Sequence, residues 1–417
     1  MRRGAVRRLT GAALAAVVVL LAGAGPALAA PARPTVDPTA PTPTAPYPGG
    51  PPQGSAPDGS TVGGEGLDTR GLVVADGTPP LPDGVTAPGW LVADATSGEV
   101  LAARDPHGRY YPASTLKTLT LLTLMPRLDP AQVVDGTVED EQMEGTRVGL
   151  VAGGRYPVSL LFQALVLQSG NDAANALARA AGGVDATLAA MNATAVEIGA
   201  FDTVAGTPSG LDVAGQSSSP YDLALVFRRL VADPATAAVL GTPTAQMPPV
   251  EGRSPGYQIQ NQDPLLGSYP GVLGGKTGFT DAARHTFVAA AERDGRRLVV
   301  SIMGSENLPV RPADQARALL DWGFATDRAT DGVGRLVDSG AEVLAAADPT
   351  ADPTTAARSA APPGGVSPLT ARHEEDDAPV LAGVVLAALA GGVVVATVVG
   401  RRRAVTRPRD PAGPPRR

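Results

Sequence analysis

The apolar positions follow different rules in different parts of the chain. Near the start, "GAALAAVVVLLAGAG" is almost unbroken apolar sequence behind Arg2, Arg3, Arg7 and Arg8, and "ALAA" follows at 27–30. This pattern predicts a secretory signal peptide over residues 1–30. A second run, "PVLAGVVLAALAGGVVVATVVG" at 379–400, is long enough to cross a bilayer as a helix. "EEDD" precedes it and "RRR" follows it, so the charge bias places the preceding chain outside and the basic tail 401–417 in the cytoplasm.

Between these runs the periodicity becomes that of a folded domain. "WLVADATSGEVLAAR" (90–104) predicts strand, turn and strand around Thr96-Ser97-Gly98. From 114 to about 235 the spacing is helical, as in Leu160, Leu161, Ala164, Leu165 and Gln168. Strands return with "HTFVAAAER" and "RRLVVSIMG", joined by Asp294-Gly295, a strong two-residue hairpin signal. "PADQARALLDWGF" (312–324) predicts an amphipathic helix opened by Pro312. Strands at both ends with helices inserted between them imply an α/β (α+β) fold, an antiparallel sheet built from distant segments.

Composition sets the expected limits of this domain. Residues 31–85 are rich in Pro, Thr and Gly and residues 326–378 in Ala and Pro, so both are expected to be spacers, leaving 86–325 as the folded block. The chain has no cysteine, which excludes disulfides, a thiol nucleophile and thiolate metal sites. His107, His285 and His373 are too scattered to suggest zinc, and no metal or cofactor is expected. A net charge of −7 argues against nucleic acid as a partner.

Charge chemistry singles out two positions. Of the 34 Lys and Arg residues, only Lys117 and Lys276 are lysine. A guanidinium stays protonated in proteins, whereas a lysine can give up its proton, so these two are candidates for chemistry. Lys117 lies three residues after Ser114 in "YPASTLKTLT", on the same face if a helix begins there. A desolvated lysine can take the proton of a serine hydroxyl. Ser169-Gly170-Asn171 precedes an Ala-rich helical stretch, and Lys276-Thr277-Gly278 ends a Gly-rich strand, where a lysine and a hydroxyl can hold an anion.

Ser-x-x-Lys, Ser-x-Asn and Lys-Thr-Gly in this order resemble the serine penicillin-recognising enzymes. "PASTLKTLT", "LVLQSGNDAANALA", "MNATAVEIGA" and "GGKTGFTDAARHT" together are similar to the low-molecular-mass D-alanyl-D-alanine carboxypeptidases, over Trp90 to Phe324. The resemblance implies a β-lactamase/transpeptidase-like fold and hydrolysis of the terminal D-Ala-D-Ala bond of a peptidoglycan stem peptide. It also implies that β-lactams acylate the enzyme. Ser114 would be the nucleophile and Lys117 its proton acceptor. Ser169 would relay a proton to the leaving group, and Asn171 would hold the substrate amide and steady Lys117. Lys276, Thr277 and Gly278 would bind the substrate end, and the N–H groups of Ser114 and Phe279 would form the oxyanion hole.

Two features depart from the family pattern. Ala283-Arg284 stands where Ala-Gly is common, and Arg284, across the short "FTDAA" connection, is a candidate carboxylate ligand. Residues 326–378 are too few and too Ala/Pro-rich for the all-β domain that some members carry. Endopeptidase action on cross-linked stems could use the same residues. A serine β-lactamase of the class with a Glu-x-x-Leu-Asn loop finds only Glu197, on a helical stretch, in its support. A catalytically silent wall-binding protein would not need all three motifs.

Overall fold

The computed structural model describes residues 53–56 and 59–347, all within one compact unit. The expected signal peptide over 1–30 and the expected membrane span at 379–400 both lie outside the described residues. Among the described residues no helix is long and apolar enough to cross a membrane.

The strands in chain order begin with β1 (Leu72–Val74), β2 (Gly89–Asp94) and β3 (Glu99–Arg104). β4 (Val133–Asp135) pairs with β5 (Arg155–Pro157), and β6 (Thr244–Met247) with β7 (Tyr257–Gln260), as two small ladders apart from the main sheet. β8 (Val272–Thr280), β9 (Arg284–Arg293), β10 (Arg296–Ser305) and β11 (Gly334–Arg335) complete the set. The main sheet is antiparallel and runs β1-β3-β2-β10-β9-β8, with β11 beside β1 on the outer edge of β3. Its centre joins β2 to β10, with Val92 opposite Val300, so segments about two hundred residues apart meet in register.

Period-two alternation sends neighbouring residues of one strand to different cores. Trp90 and Val92 of β2, Phe287 and Ala289 of β9, and Leu298, Val300 and Ile302 of β10 pack together with Leu319, Leu320 and Trp322. The last three belong to the amphipathic helix predicted at 312–324. Leu91, Ala93, Val288, Ala290, Val299 and Met303 face the larger helical side instead. A strand covered on both faces needs no polar positions, which is why β2 reads as apolar from Gly89 to Ala93 before Asp94 ends it. The predicted hairpin is present, with Asp294 and Gly295 both left-handed at φ 50° and 72°, the backbone of a type I′ turn.

The helices are α1 (Lys117–Leu124), α2 (Val138–Glu141), α3 (Val158–Leu167), α4 (Asn171–Ala180), α5 (Val184–Ile198), α6 (Pro220–Ala232), α7 (Pro234–Leu240), α8 (Pro312–Ala325) and α9 (Gly340–Ala347). α8 covers one sheet face, and α6 lies against β2, β9 and β10 on the other. α1 to α5 form the helical insert between β3 and β8.

The domain begins earlier and ends later than composition suggests. Val62 and Leu67 are buried, β1 adds to the sheet at 72–74, and β11 and Leu336 return to it from the other expected spacer. Pro- and Gly-rich chain can pack when tertiary contacts supply what its own sequence lacks. Here the supply is a buried polar cluster. The Gly54 N–H donates to Asp202 Oδ1 at 2.9 Å, and the His107 ring lies 2.9 Å from Asp202 Oδ2 and 3.0 Å from the Val62 carbonyl. Both ring nitrogens face acceptors, so His107 is held as the imidazolium; burial opposes this, but the Asp202 partner outweighs it and raises the pKa. His107, Asp202 and Asp222 bring potential metal-ligand atoms within 4.8 Å of one another. Both ring nitrogens are already engaged and Arg109 pairs with Asp202 at 3.2 Å, so the cluster works as an ion-pair clasp.

Candidate active site

Ser114 sits in a 3-10 turn, Ala113–Leu116, that leads directly into α1. The turn is pinned through one carbonyl: Pro112 O accepts the Thr115 hydroxyl at 2.5 Å and the Thr286 hydroxyl of β9 at 2.8 Å. Ala113 is left-handed at φ 48°, a strained state for a residue with a Cβ, which persists only where the surroundings enforce it. Gly210 supplies part of that enforcement. A Cβ there would fall 1.9 Å from the Ala113 carbonyl oxygen, so only glycine lets the 207–211 loop press on the turn. From Tyr111 to Leu121, Ser114 is the one residue that is not buried. The strain presents one hydroxyl to the outside.

Lys117 is fully buried, and its Nζ has three partners: Ser114 Oγ at 3.0 Å, Asn171 Oδ1 at 2.7 Å and the Ser209 carbonyl at 2.7 Å. Burial drives the ammonium pKa well below its ordinary value; the nearby Lys276 charge adds to this and Asp172 opposes it. A lysine in this state can be the free base at neutral pH, with its lone pair 3.0 Å from a serine hydroxyl. That is the geometry of an activated nucleophile.

Asn171 opens α4 and is itself fixed. Its Nδ2 donates to the Glu144 carbonyl at 2.7 Å and its N–H to the Thr146 carbonyl at 2.8 Å. Asp172 next to it accepts the N–H groups of Val148, Gly149 and Leu150, wrapping the 144–151 loop around the start of the helix. Ser169, two residues before Asn171, is left-handed at φ 59°. Its buried Oγ has no hydrogen-bond partner among the described residues. A buried hydroxyl without a partner is costly in a resting protein, and here it is free to handle a proton.

β8 closes the site. Lys276 is buried, donates to the Thr277 carbonyl at 2.8 Å, and has a pKa lowered by burial to about 7, with Asp263 acting in the other direction. A Cβ at Gly278 would lie 2.9 Å from Ser114 N and 3.0 Å from Thr115 N, so a bare glycine backbone is needed where the strand crosses the nucleophile turn. This puts Phe279, exposed at the rim, one residue past that crossing. Thr277 lies opposite Phe287, on the other face of the strand from Lys276. It lines a cavity of about 180 Å³ together with Gly278, His285, Asn307 and Arg311.

Ser114, Lys117 and Asn171 thus meet through hydrogen bonds, Gly278 lies against the Ser114 turn, Lys276 acts on Lys117 and Ser169 precedes Asn171 by two residues, whereas Arg284 does not join them. Its backbone is left-handed at φ 56°, and its guanidinium crosses the Phe279 ring to a two-point pair with Glu306 at 2.7 and 2.9 Å. The arginine that lines the cavity beside Thr277 is Arg311, just before α8, which sequence reasoning passed over. No side-chain partner of Arg311 occurs among the described residues. The Ser209 carbonyl and Asp263 were also missed. Glu197 lies on α5, lining a different pocket with Leu122, Pro126 and Arg229.

Comparison with known proteins agrees with this geometry. Residues 76–307 match the sequence profile of Peptidase_S11, D-alanyl-D-alanine carboxypeptidase. The chain is 47% identical over 253 residues to the D-alanyl-D-alanine carboxypeptidase DacB2 of Mycobacterium tuberculosis, covering 60% of this chain and 86% of that protein. It is 33% identical over 264 residues to DacD of Salmonella typhimurium, covering 59% of this chain and 66% of the relative. The crystal structure of a D-alanyl-D-alanine carboxypeptidase from M. tuberculosis H37Rv superposes with a TM-score of 0.60 at 46% identity, over 63% of this chain and all of that one. The Streptomyces K15 DD-transpeptidase, at 24% identity and a TM-score of 0.55, shares the fold. With the profile covering more than half the chain and the three motifs gathered around Ser114, the protein belongs to the D-alanyl-D-alanine carboxypeptidase family of serine-type hydrolases.

Proposed function

We propose that the protein trims the terminal D-alanine from peptidoglycan stem peptides through an acyl-enzyme on Ser114. The observation that carries this reading is the fully buried Lys117, hydrogen-bonded to both Ser114 and Asn171. β8 is the end strand of the sheet, so its outer edge can take an extended peptide as an added strand. Ser114 Oγ attacks the penultimate carbonyl carbon while its proton passes to Lys117 Nζ. The N–H groups of Ser114 and Phe279 hold the oxyanion, an interaction worth about 10²–10³ in rate per donor. As the C–N bond breaks, the leaving D-alanine nitrogen receives a proton through Ser169. Water then attacks the ester, and its proton passes through Lys117 to the Ser114 oxygen as the ester C–O bond breaks, which releases the shortened peptide and restores the hydroxyl. β-Lactams enter by the same attack and stay as acyl adducts.

The substrate carboxylate falls to Thr277 and Arg311, which line one cavity, since Arg284 is committed to Glu306. Purified enzyme is expected to release D-alanine from a pentapeptide ending in D-Ala-D-Ala. Arg311→Ala should lower kcat/KM by about 10–100-fold, the effect of one hydrogen bond to a charged group, and Arg284→Ala by less than about threefold. No release of D-alanine would refute the activity, and the reverse order of the two arginines would return the carboxylate to Arg284.

The catalytic block is further proposed to act outside the cytoplasmic membrane, held by the 379–400 run. The support is the leader pattern over 1–30 and the acidic-before, basic-after flanks of that run. Protease added to intact protoplasts should digest residues 53–347 and spare a small fragment containing 379–417. Survival of the catalytic block would overturn this topology.

A further inference from the structure

His285 follows Arg284 at the start of β9, half-buried, and stands opposite Phe279 in the ladder. Its ring lies on the Phe279 ring, with centroids 4.5 Å apart and planes tilted by 37°. Phe279 and His285 share one face of the sheet with Thr277 and Phe287. Thr286 points the other way, with its hydroxyl on the Pro112 carbonyl of the nucleophile turn. The imidazole therefore stands on the Thr277 side of the sheet, where it lines the cavity of about 180 Å³ with Thr277, Asn307 and Arg311. Neither ring nitrogen has a hydrogen-bond partner among the described residues. The first turn of α8 adds to the wall, bringing the partial positive charge of a helix start, and Asp314 is the one acid among the lining residues. A hydroxyl, an amide, a guanidinium and an imidazole around so small a space make a donor-rich seat for one anionic group.

We infer that His285 is a specificity-determining residue of this seat, a second cation that joins Arg311 on the terminal carboxylate of the substrate once the imidazole is protonated. The inference rests on the carboxypeptidase reading and on Thr277 and Arg311 as the carboxylate site. The groups that face His285 are Phe279 of β8, Arg284 beside it on β9, Glu306 just past β10, and Arg311 and Asp314 at the start of α8. Burial lowers the imidazole pKa below its ordinary value, Glu306 opposes this and Arg284 adds to it. The free enzyme thus holds His285 neutral at pH 7, while the Phe279 stack fixes where the ring stands. A carboxylate arriving beside the ring favours the charged form, so the midpoint rises on binding. Linkage is reciprocal: an acid-ended peptide binds more tightly as pH falls through that range, and a peptide amidated at its end does not.

Because the chain has only three histidines, the ring can be followed directly. Full-length Ser114→Ala protein carrying ¹³C-labelled histidine holds a pentapeptide ending in D-Ala-D-Ala without turnover, and His285→Gln in that background assigns the resonance. The His285 midpoint should rise by roughly one pH unit on saturation with this peptide, and stay in place with the same peptide amidated at its C-terminus. The affinity for the acid-ended peptide should accordingly fall by about tenfold from the acid to the basic limit. Glutamine takes up no proton, so His285→Gln should remove that slope. A residue that only holds Phe279 in place would instead, when replaced, lower affinity by one factor at every pH and for both peptides, a result that overturns the inference. A His285 midpoint that binding leaves unmoved overturns it as well. D-Alanine release by the wild-type enzyme, measured separately, then shows that the carboxypeptidase reading stands without it.

Discussion

Lys117→Arg is expected to fold and yet acylate about 10²–10⁴-fold more slowly than wild type, the range lost when a positioned general base is removed. Two properties of the site combine. An arginine keeps the charge but stays protonated, so no lone pair meets the Ser114 proton. Lys117 Nζ is also enclosed by Ser114 Oγ, Asn171 Oδ1 and the Ser209 carbonyl within 3.0 Å, with no exposed surface for a larger head group. The rate of labelling by a fluorescent penicillin, followed beside a thermal melt, measures both outcomes. Near-normal labelling by a folded Lys117→Arg protein would show that position 117 supplies charge and not basicity.

Ser114→Ala should remove turnover and the covalent adduct together, a loss of roughly 10⁴–10⁶-fold in kcat by analogy with other serine nucleophiles. Intact-mass spectrometry after incubation with penicillin should show one adduct on wild type, on the peptide containing Ser114, and none on the variant. The turn around Ser114 makes the change mild for folding, because the side chain is half-exposed and the pinning bonds come from Pro112, Thr115 and Thr286. An adduct that persists in Ser114→Ala would remove the nucleophile assignment.

These two residues were legible because the chemistry required particular side chains in a chain that otherwise avoids lysine. The same holds for Ser169, Asn171 and Lys276. The hairpin at Asp294-Gly295 and helix α8 were legible too, since local turn chemistry and 3.6-residue spacing fixed them. What stayed hidden has a common cause: it depends on which distant groups meet. The third partner of Lys117 is a backbone carbonyl at Ser209, and a carbonyl leaves no mark in a sequence. Asp263, in "NQDP", reads as an ordinary turn residue until its burial against Gly275 is seen. Arg284 and Arg311 are indistinguishable by type, and Glu306 decides between them. The stretch before 86 looks unable to fold by itself, and it folds because β3 and the Asp202 clasp give it partners.

The pairing of β2 with β10 has a consequence for the newborn chain. Synthesis runs at about 5–20 residues per second, so the roughly two hundred residues between these strands take on the order of 10–40 s to appear. The helical insert emerges during that wait and can cover Leu91 and Val100, but the other face of the β2–β3 hairpin stays bare. Trp90, Val92 and Leu101 on that face await α8, which is made after β10. The interval favours pairing of two unfinished copies through the bare edge of β2, and the late arrival of β10 on that edge ends the exposure.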